Sequence, residues 1–292
     1  VQGGREPREL DRPELSARGI EYEISSRPQV IPSGGIGAMF KLAKSVGLID
    51  GLDHGLELLK RHRPYSESDH ILNIAFNTLA GGVVLDDIEV RRNDAAFLDA
   101  LGARTIPDPT TAGDFCRRFE PADIDRLMDI INTSRLGVWA RQPRSFMGEV
   151  ACIEADGTIV STGGECKQGM DMSYKGLWGY HPLVVSLANT KEVLYIANRG
   201  GNRPSEEGAA AYFDRAIDLC HKGGFAKVRL RGDTAFSQAA HLDRWDADNV
   251  QFVFGYDAVK GLIQRAEGVV DDDYCELVRE AESAFEAKRA RA

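Results

Sequence analysis

Apolar positions along the chain follow two different periods, and the change falls near Pro143. From about residue 35 to 140 the spacing is helical. Ile36, Met39, Phe40, Ala43 and Val46 form one stripe, Ile71, Leu72, Ala75 and Leu79 a second, and Ile124, Leu127, Met128, Ile131 and Val138 a third. That pattern predicts an all-α region of five or six helices over 35–142. Pro107-Asp108-Pro109 interrupts it. Thr110 or Thr111 is then expected to cap a short helix through Phe119, and Pro121 to start the next. Residues 1–34 are polar and rich in Pro, Arg and Glu, and read as an extended tail in which EYEI is a candidate edge strand.

Beyond Pro143 the pattern turns strand-like. ACIEADGTIVST, PLVVSLAN and EVLYIANR read as three strands, with a glycine-rich loop from Gly163 to Gly179 after the first. Ser205 is expected to cap a helix carrying Glu206 and Glu207 in its first turn, with Gly223-Gly224 as its stop. KVRLRGD is the next strand, then a helix from about Gln238 to Ala247, then the strand VQFVFGYD. The predicted class is α+β: an all-α region followed, over 143–260, by a mixed sheet with element order βββαβαβ flanked by helices. Residues 261–292 read as helix, amphipathic in DDDYCELVREAESAFEAKRARA, whose glutamates Glu276, Glu280, Glu282 and Glu286 suit a solvated face.

Composition narrows the function classes. The chain has 292 residues, a net charge of −9 and no apolar run long enough to span a bilayer. The N-terminus lacks the apolar core of a signal peptide. Five scattered cysteines with no C-x-x-C pair argue against a zinc or disulfide framework and for a reducing cytoplasm. The acidic balance does not suggest a nucleic-acid binder, but binding depends on the local patch. Basic clusters occur at residues 60–63, at Arg91-Arg92, at Arg117-Arg118, and at Arg135 with Arg141 and Arg144; a solvated helix face is the commoner reading of each. A helix carrying Arg117 and Arg118 would suit a helix-turn-helix reader; a dimerisation bundle fits the all-α region equally.

The candidate chemistry lies at two strand ends. Three consecutive strands favour an antiparallel meander, and a right-handed helical crossover then returns the chain parallel to the first strand. If the fourth strand neighbours the first, Asp156 in IEADGT and Asp233 in LRGDTAFS end adjacent strands, although they are 77 positions apart (233 − 156). Helix capping is the plain alternative for Asp233. Two close carboxylates repel, and a divalent cation between them relieves the repulsion. Hard oxygen donors suit Mg²⁺, and metal pairs of this kind serve phosphoryl transfer.

Six segments carry a family resemblance: DHILNIAFNTLAGGVVLDDIEVRRND (69–94), DPTTAGDFCRRF (108–119), IEADGT (153–158), YKGLWGYHPLVVSLANT (174–190), NRPSEEGA (202–209) and LRGDTAFS (230–237). Their content and order resemble an insertion-sequence transposase of the DDE type, similar to the 1380 group, with a ribonuclease H-like core. The resemblance implies that Asp156 and Asp233 are catalytic and bind Mg²⁺, with Mn²⁺ as a substitute. It implies double-stranded DNA partners (terminal inverted repeats and target DNA), cutting and strand transfer at element ends, and a cytoplasmic, nucleoid-associated prokaryotic protein without membrane contact. A homodimer also fits.

Two departures stand out. Members of the group often carry L-D-x-D where this chain has Ile153-Glu154-Ala155-Asp156, so Glu154 is either an auxiliary ligand or a tolerated replacement. The family's third acid, a glutamate on a late helix, is not identified, so the chain resembles a C-terminally truncated transposase, inactive alone. In the loop ECKQGMDMSYKGLWGYHPL, Lys167, Tyr174 and Lys175 are DNA-binding candidates, since aromatics interleaved with lysines stack bases and hold phosphates. For Trp178 and Tyr180, packing on the sheet is the simpler expectation, and for His181 a structural hydrogen bond. Two rivals remain: a non-catalytic DNA-binding remnant, and a haloacid dehalogenase-type phosphatase whose D-x-D-G-T and G-D signatures IEADGT and RGDTAF imitate. In the phosphatase Glu154 would replace the nucleophilic aspartate.

Overall fold

The computed structural model describes residues 33–60, 64–147, 149–164 and 167–289. The EYEI strand, most of the polar tail and the basic residues 61–63 fall outside them. The chain divides after Pro143 into two compact units.

The first unit has seven α-helices among the described residues: α1 (Ile36–Ser45), α2 (Leu48–Gly55), α3 (Glu67–Leu79), α4 (Ile88–Arg92), α5 (Ala95–Leu101), α6 (Pro109–Cys116) and α7 (Pro121–Trp139). Their core gathers Ile36, Leu72, Phe76, Ile88, Phe97, Ile106 and Ala112. Polar residues set the helix starts. Ser66 and Asp69 form a capping box at α3, with the Ser66 amide donating to Asp69 Oδ2 at 2.9 Å. Helix α6 differs from expectation at both ends. Asp108, not Thr110 or Thr111, is its cap, accepting from the Thr111 amide at 2.9 Å, and Pro109 supplies the first helical position. The helix stops at Cys116, so Arg117 and Arg118 lie past its C-terminal end. In α7, Ile124 and Ile131 are exposed, while Met128, Asn132, Ser134 and Trp139 are buried. The buried face therefore sits roughly a quarter-turn from the apolar stripe, because Asn132 turns inward and accepts from Arg135. Buried Glu67 holds the segment after α2 by accepting the Leu58 and Leu59 amides at 3.2 and 3.1 Å.

The second unit begins with α8 (Arg144–Met147) and β1 (Val150–Gly157). There follow the short strands β2 (Val160–Ser161), β3 (Asp171–Met172) and β4 (Trp178–Tyr180), then β5 (Leu183–Leu187), β6 (Glu192–Ala197), α9 (Ala209–Lys222), β7 (Lys227–Gly232), α10 (Ala239–Ala247), β8 (Gln251–Phe254), α11 (Lys260–Glu267) and α12 (Asp271–Arg289). The main sheet has strand order β6-β5-β1-β7-β8. Strands β1, β5 and β6 form the antiparallel meander, while β7 pairs parallel with β1 and β8 parallel with β7. That is the expected βββαβαβ order in a ribonuclease H-like arrangement.

Alternation gives this sheet one apolar face. Ala151, Ile153 and Ala155 of β1, Leu183, Val185 and Leu187 of β5, and Val228 and Leu230 of β7 are all buried. Against them lies α9, whose Phe213, Ala216, Ile217 and Cys220 are buried. Phe213 meets Phe236 and Trp245 edge-on, with ring centroids at 6.1 and 5.7 Å, and the Trp245 indole N–H donates to Asp214 at 2.9 Å. Each large side chain removed from water here contributes about 1.5–3 kcal/mol.

Three expectations are corrected in this unit. The glycine-rich loop folds into a second sheet, β2-β4-β3. Helix α9 starts at Ala209 behind Gly208, whose φ of +74° suits glycine, so Ser205, Glu206 and Glu207 precede the helix instead of capping it. The end of the chain holds two helices, α11 and α12. The glutamates Glu276, Glu280, Glu282 and Glu286 are exposed there, as are Tyr274, Val278 and Phe285.

Candidate active site

Asp156 and Asp233 are brought to neighbouring strand ends. The β1/β7 register pairs Val150 with Lys227 and continues without a slip to Glu154 with Arg231. The same offset places Asp156 level with Asp233, one alternation further on the same face, where adjacent strands run about 4.8 Å apart. Both residues are exposed.

The residues just after each aspartate hold it in place. Asp233 caps the short 3-10 turn Thr234–Phe236, with Oδ1 accepting the Ala235 amide at 2.9 Å. Phe236 is buried beneath it, and a β-carbon on Gly232 would come within 2.9 Å of that ring. Capping and a site at the strand end thus coexist, since one carboxylate oxygen does the capping. After Asp156, Gly157 lies against two side chains: a β-carbon there would sit 2.5 Å from His181 Nε2 and 2.8 Å from Ser205 Oγ. Thr158 then donates to Pro182 O at 3.1 Å. Among the described residues the Asp156 carboxylate accepts no hydrogen bond and forms no ion pair.

Behind Gly157 stands a polar scaffold in which His181 makes a structural hydrogen bond, as expected, and in which Arg199 is the member that sequence reasoning missed. Buried His181 has Nδ1 2.6 Å from Arg203 O, so Nδ1 carries a proton and donates it to that carbonyl. Arg199 donates from Nε to His181 O at 3.1 Å. One of its terminal nitrogens reaches the carbonyls of Pro204, Ser205 and Glu207 at 3.1, 3.2 and 2.7 Å. Burial pushes the Arg199 guanidinium below the usual arginine range, while Glu207 and Glu206 pull it back. The signal available in the sequence was an arginine followed by a glycine-rich, aperiodic stretch, RGGNRPSEEG, which no helix or strand period explains.

Glu154 lies one alternation before Asp156 and pairs with Arg231, its register partner. Its carboxylate is therefore engaged with a cation. Among the described residues no group of three Asp, Glu, His or Cys side chains is placed to hold a metal. Two hard carboxylates side by side, one of them uncommitted, still suit a cation of the Mg²⁺ class, which takes one or two protein carboxylates and keeps waters and phosphate oxygens.

The other candidates have contacts of their own, and the Tyr174 ring centre stands 6.5 Å from that of His181. Lys167 donates to Thr162 Oγ1, and Tyr174 and Lys175 occupy the tip of the β3–β4 hairpin, with Lys175 Nζ 5.4 Å from the Tyr174 ring centre. Arg117 pairs with Asp114, and Arg118 donates to Leu58 O at 3.3 Å. Neither His54, bonded to Asp50 O, nor His70, stacked on Phe115, joins a ligand set.

A mixed sheet in this order, with aspartates level at the ends of its two central parallel strands, defines a ribonuclease H-like core. The phosphatase reading falls with the topology, because β1 is followed by two antiparallel strands where that fold needs helical crossovers. The chain belongs to the transposase DDE domain group 1 family, which matches residues 23–289. A solved structure similar to it is the piggyBac transposase synaptic complex with hairpin DNA, determined by cryo-EM, at 14% identity and a TM-score of 0.38, covering 77% of this chain and 52% of that one. The chain thus spans about half the length of that protein. No curated protein is significantly similar to it. Among the described residues no helix is long and apolar enough to cross a membrane.

Proposed function

We propose that this protein binds the ends of a mobile DNA element and cuts phosphodiester bonds there, with Asp156 and Asp233 holding the divalent cation. The observation that supports this most is the unbroken β1/β7 register, which sets the two carboxylates level on one face. Mg²⁺, or Mn²⁺ in its place, supplies Lewis-acid polarisation of the phosphoryl oxygens and lowers the pKa of the attacking water or hydroxyl.

The chain's own residues do the placing. Asp156 offers a carboxylate with no competing bond among the described residues, and Asp233 offers one oxygen while the other caps its turn. His181, Ser205 and Arg199 fix the backbone on which Asp156 rides. Arg231 neutralises Glu154 and keeps that acid from adding a third negative charge beside the site. Lys167, Lys175 and Tyr174 are the contacts proposed for DNA in this unit. Arg117 and Arg118 reach phosphate only by giving up Asp114 and Leu58.

The test is strand cleavage of DNA carrying the element's terminal repeats, in Mg²⁺ or Mn²⁺, by the wild type and by Asp156→Asn. Nicked product from the wild type alone supports the reading. No product from either protein, with repeat DNA still bound over scrambled DNA, supports a second reading as a non-catalytic end-binding protein. That reading keeps the aspartate pair as a site and needs no third acid grouped with it. Equal weak binding to both DNAs would sink both readings.

A further inference from the structure

The small sheet carries the most exposed aromatic surface near the aspartate pair. Cross-strand partners share a face, so Met172 opposite Trp178, and Val160 opposite Tyr180, stand together on one side of β2-β4-β3. Met172, Val160 and Trp178 are all exposed, with Trp178 at 47%. Among the described residues the indole of Trp178 neither stacks on another ring nor donates a hydrogen bond. Trp178 has Met172 directly opposite on β3 and Thr162 opposite on the β2 side, with Val160 diagonal to it across from Tyr180; an exposed tryptophan in such a row marks a binding face.

The surroundings indicate its occupant. Three strands at about 4.8 Å spacing make a platform about 10 Å across, wide enough for one planar base. Two lysines border it. Lys167 is tied to Thr162, whose amide bonds Trp178 O at 3.1 Å, and Lys175 stands at the hairpin tip that Ser173 closes through its bonds with Gly176 and Leu177. The only acid on these strands, Asp171, points to the other face by alternation. Val160 follows Asp156 by four residues, so chain reach keeps the platform within about 15 Å of the carboxylates. A flat ring stacks on the π-face of a base, and in a duplex that face is covered by the neighbouring pair.

We infer that Trp178, with Met172 beside it and Val160 on the same face, is a stacking platform for one unpaired base of the DNA strand, with Lys167 and Lys175 taking its phosphates. The inference rests on the proposed DNA chemistry and adds a substrate feature to it. The protein supplies its own reporter, because its other two tryptophans, Trp139 and Trp245, are each 2% exposed. The experiment titrates the full chain, without divalent ions so that no strand is cut, with a terminal-repeat duplex bearing one unpaired base. Controls are the fully paired duplex and one with an abasic site in place of the unpaired base. Saturable quenching by the first DNA alone is expected. Binding of that DNA, followed by fluorescence anisotropy, should weaken roughly 5- to 150-fold in Trp178→Leu and recover in Trp178→Phe. Paired-duplex binding should stay within about twofold. Equal quenching by all three DNAs, or unaltered affinity in Trp178→Leu, overturns the platform but leaves duplex binding and the proposed function standing. A Trp178 emission shift that follows protein concentration without DNA also overturns it, by assigning the face to a second copy of the chain. Failure to bind any of the DNAs removes both proposals.

Discussion

The two faces of β1 and β7 are written in the same residues and do opposite work. Ala151, Ile153, Ala155, Val228 and Leu230 point to α9 and are buried. Glu154, Asp156, Arg229, Arg231 and Asp233 alternate with them or end the strands, and lie partly or fully in water. The covered face sets the register, since a one-residue slip would carry every apolar side chain out to solvent. The open face has no such strength of its own, and it inherits its geometry. The level placement of Asp156 and Asp233 is thus a by-product of apolar packing on the other side of the same strands.

Substitutions on the two faces should therefore have separable effects. The largest should come from the open face and appear in activity alone. Asp156→Asn or Asp233→Asn should lower DNA cleavage by about a thousandfold or more, since a bound metal supplies several kcal/mol of transition-state stabilisation. Thermal unfolding of either variant should match the wild type, and a large loss of stability would contradict the division between faces. Next comes the covered face. Leu230→Ala should cost about 2–5 kcal/mol in denaturant unfolding through the cavity it leaves. Gly157→Ala bridges the two faces. Its methyl would press on His181 Nε2 and Ser205 Oγ, costing about 1–3 kcal/mol. It should also slow cleavage by displacing Asp156, about a hundredfold per ångström of misplacement. A variant that unfolds normally and cuts at the wild-type rate would remove any role for that scaffold. Smallest is the half-exposed Glu154–Arg231 pair. A double-mutant cycle with Glu154→Gln and Arg231→Gln should return about 1 kcal/mol or less of stability, and a value several times larger would make the pair structural.

Much of the core could be read from the chain, for physical reasons. Strands β1, β5 and β7 are five residues or longer and alternate, and two glycines end the helix between β6 and β7. With the crossover rule these place Asp233 beside Asp156. The parts that escaped reading lacked a period. Strands β2, β3 and β4 have two or three residues each, too short to alternate, and are held by loop hydrogen bonds and by the glycine at 179 packed against Val160. The buried face of α7 was misplaced because Asn132 and Ser134 turn inward, where a polarity pattern puts them outside. The two helix-start errors have separate causes. Short polar residues compete to cap, and Asp108 outcompetes Thr110 and Thr111, whereas Arg199 draws the Ser205 carbonyl away from any helix. The fate of Glu154 was likewise hidden, because its partner Arg231 is distant in sequence and adjacent only once the register is known.

The measurement that bears most directly on the paired aspartates is calorimetric titration of Mn²⁺ into four proteins: wild type, Asp156→Asn, Asp233→Asn and the double variant. If the two carboxylates share a cation, each single variant should lose binding nearly as completely as the double, because either partner alone is a poor site. Unchanged binding in both single variants, or losses that simply add in the double, would contradict a joint site at the ends of β1 and β7.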